Sequence, residues 1–261
     1  MKPSPPDAQA VARRAIVLRH LAGFALSAPT RDLLTTLQAT WTPREQREFL
    51  ADARADRDRR LEALGPWKRW LTRSERAVFE KTADKLSAGE QINASWRTEA
   101  VHVLAWALRA QPRLLPYDRQ ASLKKHTIGN GDLAAFVRNA RLRPRKEIEA
   151  ARELAEFWHW RSRTRQLHEG KSPLTPSASM RAAGIETYDD IARAAVRAAR
   201  KRGELKTTSG GDFKALGKAY RDLTDGEWSD VRSITVERHF ALNWLCGMAP
   251  RNRWDDTPTD T

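Results

Sequence analysis

The sequence predicts a mainly α-helical fold: a multi-helix globular bundle with a small hairpin or irregular flap near residues 204–220. Apolar residues recur every three or four positions through most of the chain, which is typical of helices that bury one face. Helix-start signals such as Thr42-Pro43-Arg44-Glu45 combine a capping threonine, a proline in the first turn and a glutamate that completes a capping box. Near 204–220 the pattern changes, because Gly210-Gly211 and Gly217 separate short mixed runs.

Within this fold, we expect a helix wherever apolar residues keep the spacing of three or four positions, and we expect it to end where proline or glycine interrupts the pattern. In the first half of the chain the predicted helices span 8–26, 33–37, 43–60, 72–86 and 95–108. Residues 112–131 and 170–179 are rich in turn-forming residues and predict loops. The remaining predicted helices span 133–141, 144–167, 188–202 and 224–245, the last opened by a second capping box at Thr224-Asp225-Gly226-Glu227.

The predicted domain organisation has three parts. Residues 1–7 hold three prolines and predict a flexible N-terminal lead-in. Residues 8–250 predict a single helical domain, and residues 251–261 a C-terminal tail that is polar apart from Trp254.

Composition limits the class of protein. Of the 261 residues, 40% are hydrophobic and ten are tryptophan, so the chain can bury a sizeable core without disulfides or metal. One cysteine, Cys246, cannot form an internal disulfide, which indicates a reducing compartment. No stretch has the apolar core of a signal peptide or the roughly 20 apolar residues of a membrane span. We therefore expect a cytoplasmic protein without membrane association.

Charged residues within apolar helices mark the candidate site. The helix that begins near Arg97 and Glu99 is apolar nearly all round after Glu99, which predicts a buried central helix. A buried ion without a partner costs several kcal/mol, so these charges must be paired. The network could hold the helices in register, or it could form a pocket for a small polar or anionic ligand. The candidate polar cluster is Arg97, Glu99, His102, Glu156, His159, Arg161, Glu237, Arg238, His239 and Asn243.

Metal and nucleophile chemistry have weaker support. Glu99 with His102, and Glu156 with His159, match the Glu-x-x-His spacing of helical carboxylate-bridged metal proteins. Each pair lies near an arginine that competes for the carboxylate, and further carboxylate helices are not evident, so no metal or cofactor is predicted. The chain has no Gly-x-Ser-x-Gly elbow, and the Ser209-Gly210-Gly211 run lacks the Gly-Lys-Ser/Thr of a phosphate loop.

The formal charge of +14 and the sequence pI of about 10.5 raise the question of a polyanion partner. Acidic residues interrupt most of the basic runs, and an arginine- and alanine-rich composition also follows from a GC-rich genome, so nucleic-acid binding is kept as an alternative and not favoured. Trp67 and Trp70, beside Lys68 and Arg69, are the best candidates for exposed stacking residues. The candidate basic patch is Arg141, Arg143, Arg145, Lys146, Arg197, Arg200, Lys201 and Arg202.

Several segments together resemble a known family. They are Ser95-Trp96-Arg97-Thr98-Glu99-Ala100, Leu142-Arg143-Pro144-Arg145, Trp158-His159-Trp160-Arg161, Glu237-Arg238-His239-Phe240-Ala241-Leu242-Asn243-Trp244-Leu245 and the ending Trp254-Asp255-Asp256-Thr257-Pro258-Thr259-Asp260-Thr261. In this order, from about Ala12 to the end of the chain, they are similar to the bacterial family called domain of unknown function 4272. The resemblance implies a mostly helical fold and a bacterial cytoplasmic protein, and it brings no established activity.

These observations favour a non-enzymatic helical binding or interaction protein. The sequence does not identify its partner, for which a protein is one candidate, and a regulatory or immunity-type role would suit it. One alternative is an enzyme or small-ligand binder that uses the buried Glu/His/Arg cluster. The other is a basic nucleic-acid-binding protein. A structure separates the first two by showing whether the polar residues are fully paired or surround a cavity.

Overall fold

The computed structural model describes residues 4–125, 128, 131–201, 203, 205 and 207–259. Most of this chain is helical, which confirms the predicted fold class. The α-helices are α1 (Ala8–Ser27), α2 (Arg31–Gln38), α3 (Pro43–Leu64), α4 (Arg73–Phe79), α5 (Ala88–Ala107), α6 (Leu133–Arg138), α7 (Arg145–Glu169), α8 (Ala178–Ala182), α9 (Tyr188–Lys201) and α10 (Asp225–Leu245). Short 3₁₀ turns connect several of them, at Gly65–Trp70, Ala83–Lys85, Leu123–Lys125, Tyr220–Asp222, Pro250–Asn252 and Trp254–Asp256.

The predicted flap near 204–220 is a small antiparallel sheet of three strands, in the order β1 (Thr208–Ser209), β2 (Asp212–Ala215) and β3 (Lys218–Ala219). Thr208 pairs with Phe213, and Lys214 pairs with Ala219. Both turns require positive φ, which Gly210 and Gly211 supply between β1 and β2, and Gly217 after Leu216 supplies between β2 and β3.

The core is built around α5, which lies between α1 and α10, while α10 also packs on α7. As the sequence predicts, α5 is buried on all sides over its second half, where six apolar residues are 0% exposed: Ala100, Val101, Val103, Leu104, Ala105 and Ala107. A second, smaller cluster joins α1 to the chain between α3 and α5 through Val17, Leu21, Leu64 and Phe79. The four helices α1, α5, α7 and α10 therefore form the frame that positions everything else.

Helix boundaries follow the capping chemistry. Capping boxes at Thr42 and Glu45, and at Thr224 and Glu227, start α3 and α10 as predicted. The single helix predicted over 72–86 is wrong: α4 ends at Phe79, and Ser87 with Glu90 forms a further capping box that starts α5. Part of the predicted loop 170–179 also becomes helical, because Ser177 caps the short α8.

The segment before α1 and the segment after α10 both pack against α10 or the residues that follow it. Pro6 is buried, and Pro5 approaches Gly247 so closely that a Cβ there would lie 2.8 Å from the Pro5 nitrogen. After α10, the Trp254 ring packs edge-on against Trp244 at 5.2 Å between ring centroids, and Trp244 Nε1 donates to the carbonyl of Asn252. Within the described residues, no helix is long and apolar enough to cross a bilayer.

Candidate functional site

The centre of the predicted polar cluster is an ion pair between α5 and α10. Glu99 Oε2 accepts from Arg238 Nε at 2.8 Å, and both side chains are 0% exposed. The other carboxylate oxygen, Oε1, accepts from the backbone N–H of Ala121 at 2.6 Å. Because both oxygens have donors, the buried carboxylate is satisfied without a ligand.

The guanidinium of Arg238 uses its remaining donors to hold the loop 113–121. Its Nη1 donates to the carbonyls of Leu115 and Pro116, and its Nη2 donates to the carbonyl of Arg119 at 2.8 Å. The guanidinium also lies 5.1 Å from the centre of the Tyr117 ring. From α5, His102 Nε2 accepts from the N–H of Leu115. The loop is therefore fixed by side chains from two core helices, and this part of the cluster serves a structural role.

A second pair joins the same two helices nearer the surface. Arg97 Nη1 donates to Glu237 at 2.9 Å, and the Arg97 guanidinium lies 5.2 Å from the Phe240 ring centroid. Burial raises the pKa of the Glu237 carboxyl above its ordinary value, although the neighbouring Arg97 charge opposes that shift.

A third pair holds the sheet to α7. Arg161 donates to both carboxylate oxygens of Asp212, at 2.8 and 2.7 Å, in a buried bidentate pair. Asp212 also accepts from the backbone N–H groups of Phe213 and Arg221, so one carboxylate holds the start of β2 and the turn after β3. Burial raises the pKa of the neighbouring Tyr220 to about 12.

Two histidines meet where α7 crosses α10. The Nδ1 atoms of His159 and His239 are 2.9 Å apart, so one ring donates to the other. Desolvation, together with the nearby His159 and Arg152, lowers the pKa of His239 to about 4. A shared hydrogen bond of this kind requires at least one neutral ring, because two protonated rings would place two N–H groups face to face.

The remaining members of the cluster lie apart from these pairs. Glu156 accepts from Arg152 one turn away on the half-exposed side of α7. Asn243 Nδ2 donates to the carbonyl of Pro258 and fastens the chain that follows α10. Over the described ranges, no group of three or more His, Cys, Asp or Glu side chains is arranged to hold a metal ion. The ten predicted residues thus form separate contacts along α5, α7 and α10, and they do not line one common cavity.

A cleft lies on the outer side of the loop 113–121, and none of the ten residues is part of its lining. We call it the loop–sheet cleft; its volume is about 670 Å³. The loop forms one wall, α7 contributes Ala151, Leu154 and Trp158, and β2 with the following turn contributes Lys214 and Gly217. The loop and the sheet are also joined directly, since Asp118 Oδ2 accepts from the N–H of Leu216 at 2.8 Å.

Aromatic packing makes the base of the loop–sheet cleft rigid. The rings of Tyr117 and Trp158 stack at 5.1 Å between centroids, and Phe213 meets Trp158 edge-on at the same distance. Sequence reasoning missed this site because its walls come from three distant segments. Sequence reasoning also missed Asp212. The predicted burial of Arg161 could have indicated such a residue, because a buried arginine requires an acidic partner.

The predicted basic patch is divided between two places in the chain: the start of α7 with the segment before it, and the end of α9. Arg143 donates to the carbonyls of Trp106, Gln111 and Pro112, and Arg145 donates to Glu149 and to the carbonyl of Cys246, so both have structural partners. Arg202 lies outside the described residues. The exposed members without such partners are Arg141, Lys146, Arg197, Arg200 and Lys201, and Arg145 is exposed as well.

The predicted stacking tryptophans also have intramolecular partners. Trp70 is 37% exposed and carries the Arg13 guanidinium at 4.8 Å, and Trp67 packs against the core. Nucleic-acid binding through these residues stays a prediction.

Fold and site together define a helical protein with buried ion pairs between its core helices and a cleft of about 670 Å³ beside the sheet. The family model described as Domain of unknown function (DUF4272) matches residues 3–182, and the chain belongs to this family. The match confirms the resemblance carried by the segments at 95–100, 142–145 and 158–161, while the segments at 237–245 and 254–261 lie beyond the matched residues. No curated protein and no solved structure matches the chain.

Proposed function

We propose that the protein is a non-enzymatic binding protein whose binding site is the loop–sheet cleft. The observation that carries the proposal is the cleft itself, about 670 Å³ in volume and floored by Leu154 and Trp158 of α7. Small-molecule sites in proteins are concave, mostly apolar and roughly 300–1,000 Å³ in volume.

The wall of the cleft is held before any ligand arrives. Arg238 donates to three carbonyls of the loop 113–121, and Glu99 accepts from its last N–H group. A ligand that enters a fixed site does not have to order the loop, so more of the contact energy contributes to affinity. In this proposal the buried cluster supports the binding site from behind and does not touch the ligand.

The side chains in the described lining favour binding over reaction. They include no histidine, cysteine, serine or glutamate, and within the described residues no hydrogen bond joins two lining side chains as a nucleophile is joined to its base. The one carboxylate, Asp118, already accepts a backbone hydrogen bond from Leu216. A protein that binds a ligand without reacting with it acts by presenting a changed surface to a partner, so a regulatory role in a bacterial cytoplasm is part of the same proposal.

The test uses the neutral apolar probe N-phenyl-1-naphthylamine, whose fluorescence rises when it leaves water. We expect saturable binding to the wild-type protein and at least tenfold weaker binding to Ala151→Phe, because the added ring fills space between α7 and the loop. Ala150→Phe is the matched control, since Ala150 is exposed on the same helix and is not part of the lining. Circular dichroism melting shows that each variant is folded. Equal binding by both variants, or no saturable binding by the wild type, would overturn the proposal.

A further inference from the structure

Two cations stand at the rim of the loop–sheet cleft without acidic partners. Arg119 on the loop and Lys214 on β2 both line the cleft and are exposed. In the described part of the chain neither side chain forms an ion pair, although most arginines near the core do. The backbone of Arg119 is fixed, because its carbonyl accepts from Arg238.

The negative charge nearest these cations is already engaged. Asp118 also lines the cleft, and its Oδ2 accepts from the N–H of Leu216. Among the described lining residues two cations stand against one carboxylate, and the formal charge of +14 on the whole chain adds to the attraction for anions. The interior behind the rim is apolar, with Leu114, Leu154 and Trp158 in its walls.

We propose that the loop–sheet cleft binds a free apolar molecule that carries a single anionic group, with the apolar body against Leu154 and Trp158 and the anion between Arg119 and Lys214. This inference rests on the proposed function and names the chemical class of the ligand. The apolar body provides most of the affinity through burial, at about 25 cal/mol per Å² removed from water. The rim cations select acids over alcohols and amines of the same shape.

The experiment compares three probes with the same ten-carbon chain: decanoate, 1-decanol and decylammonium, each competing with N-phenyl-1-naphthylamine below its solubility limit. We expect decanoate to bind roughly tenfold more tightly than decanol, because two cations at the rim attract its carboxylate, and decylammonium to bind most weakly. The double variant Arg119→Gln with Lys214→Gln is expected to remove the preference, so that decanoate and decanol compete about equally. Arg141→Gln with Lys146→Gln is the matched control, because it removes the same charge from exposed sites that do not line the cleft.

The outcomes separate this inference from the proposed function. If decanol and decanoate bind equally, the cleft is a binding site and the anionic ligand is wrong. If no probe competes and N-phenyl-1-naphthylamine itself does not bind, the proposed function is wrong as well. Binding to vesicles that contain phosphatidylglycerol, when decanoate does not compete with it, would show a membrane surface as the anion and overturn the proposal of a free ligand.

Discussion

Glu99 and Arg238, 139 positions apart in the chain, form an ion pair of 2.8 Å between two side chains that are both 0% exposed. Neutralising the acid by Glu99→Gln would leave the guanidinium buried without its counter-charge. Breaking such a pair from one side costs about 3–5 kcal/mol, so we expect the free energy of unfolding to fall by that amount. Urea unfolding followed by circular dichroism measures it.

The matched control for this prediction is Glu156→Gln. Glu156 is half-exposed and pairs with Arg152 within one helix, an arrangement worth roughly 0.3–0.5 kcal/mol. A loss smaller than 1 kcal/mol for Glu99→Gln would mean that the pair is not structural. The proposed support of the loop 113–121 would then have no basis.

Asp212 gives a second prediction, because this one carboxylate fastens the sheet to α7. In Asp212→Asn, Arg161 loses its bidentate partner and the turn after β3 loses its contact with a charged acceptor. We expect peptides covering 208–219 to exchange amide hydrogens at least tenfold faster while α5 and α10 stay protected. Asp222→Asn is the control, since Asp222 is exposed and lies 4.0 Å from Arg221. Uniform exchange throughout the variant would show global destabilisation instead of release of the sheet.

The third prediction concerns the pH dependence of stability. The pKa of His239 is about 4 in the folded protein, below the ordinary 6.5, because the ring is desolvated and faces His159 and Arg152. Between these two values the unfolded chain binds more protons than the folded one, so stability falls as the pH decreases from about 6.5 to 4. One proton corresponds to a slope of up to about 1.4 kcal/mol per pH unit.

Replacement of the ring tests this assignment. His239→Asn removes the titrating group, and we expect a shallower loss of unfolding free energy between pH 7 and pH 5. Part of the slope will remain, because burial and Arg19 also lower the pKa of His20. The control His168→Asn changes a ring that stacks on Tyr188 at 5.6 Å and lies further along α7 than His159, the partner of His239. An unchanged slope in His239→Asn would contradict the assignment.

The sequence predicted the helical frame well because local rules determine it. The capping box at Thr224 and Glu227 and the apolar run after Glu99 each identify an element without knowledge of its neighbours. The boundary at Phe79 was missed because the apolar spacing continues past it; a 3₁₀ turn at Ala83–Lys85 follows, and a separate cap at Ser87 starts α5.

The pairing of the buried charges could be predicted from the sequence, whereas the loop–sheet cleft could not. A buried charge without a partner costs free energy, so the sequence predicts that Glu99 and Arg238 are each paired. In the structure they form an ion pair with each other. The loop–sheet cleft depends on how the loop at Tyr117, the helix at Trp158 and the turn at Gly217 meet in space. No pattern of residue spacing along the sequence predicts that these three segments come together, so the cleft could be found only from the three-dimensional structure.

Gly247 gives the last prediction, because two separate constraints exclude any other residue there. Its φ of +76° lies in the left-handed region, and a Cβ would stand 2.8 Å from the Pro5 nitrogen. Gly184→Ala isolates the first constraint, since Gly184 has a φ of +68° and open space around it, and we expect it to cost about 1–2 kcal/mol. Gly247→Ala must in addition displace the backbone at Pro5, so its loss of unfolding free energy should exceed that of Gly184→Ala and its segment before α1 should become sensitive to proteases. Equal losses for the two variants, with the N-terminal segment still protected, would mean that the contact between Pro5 and Gly247 does not hold the start of the chain.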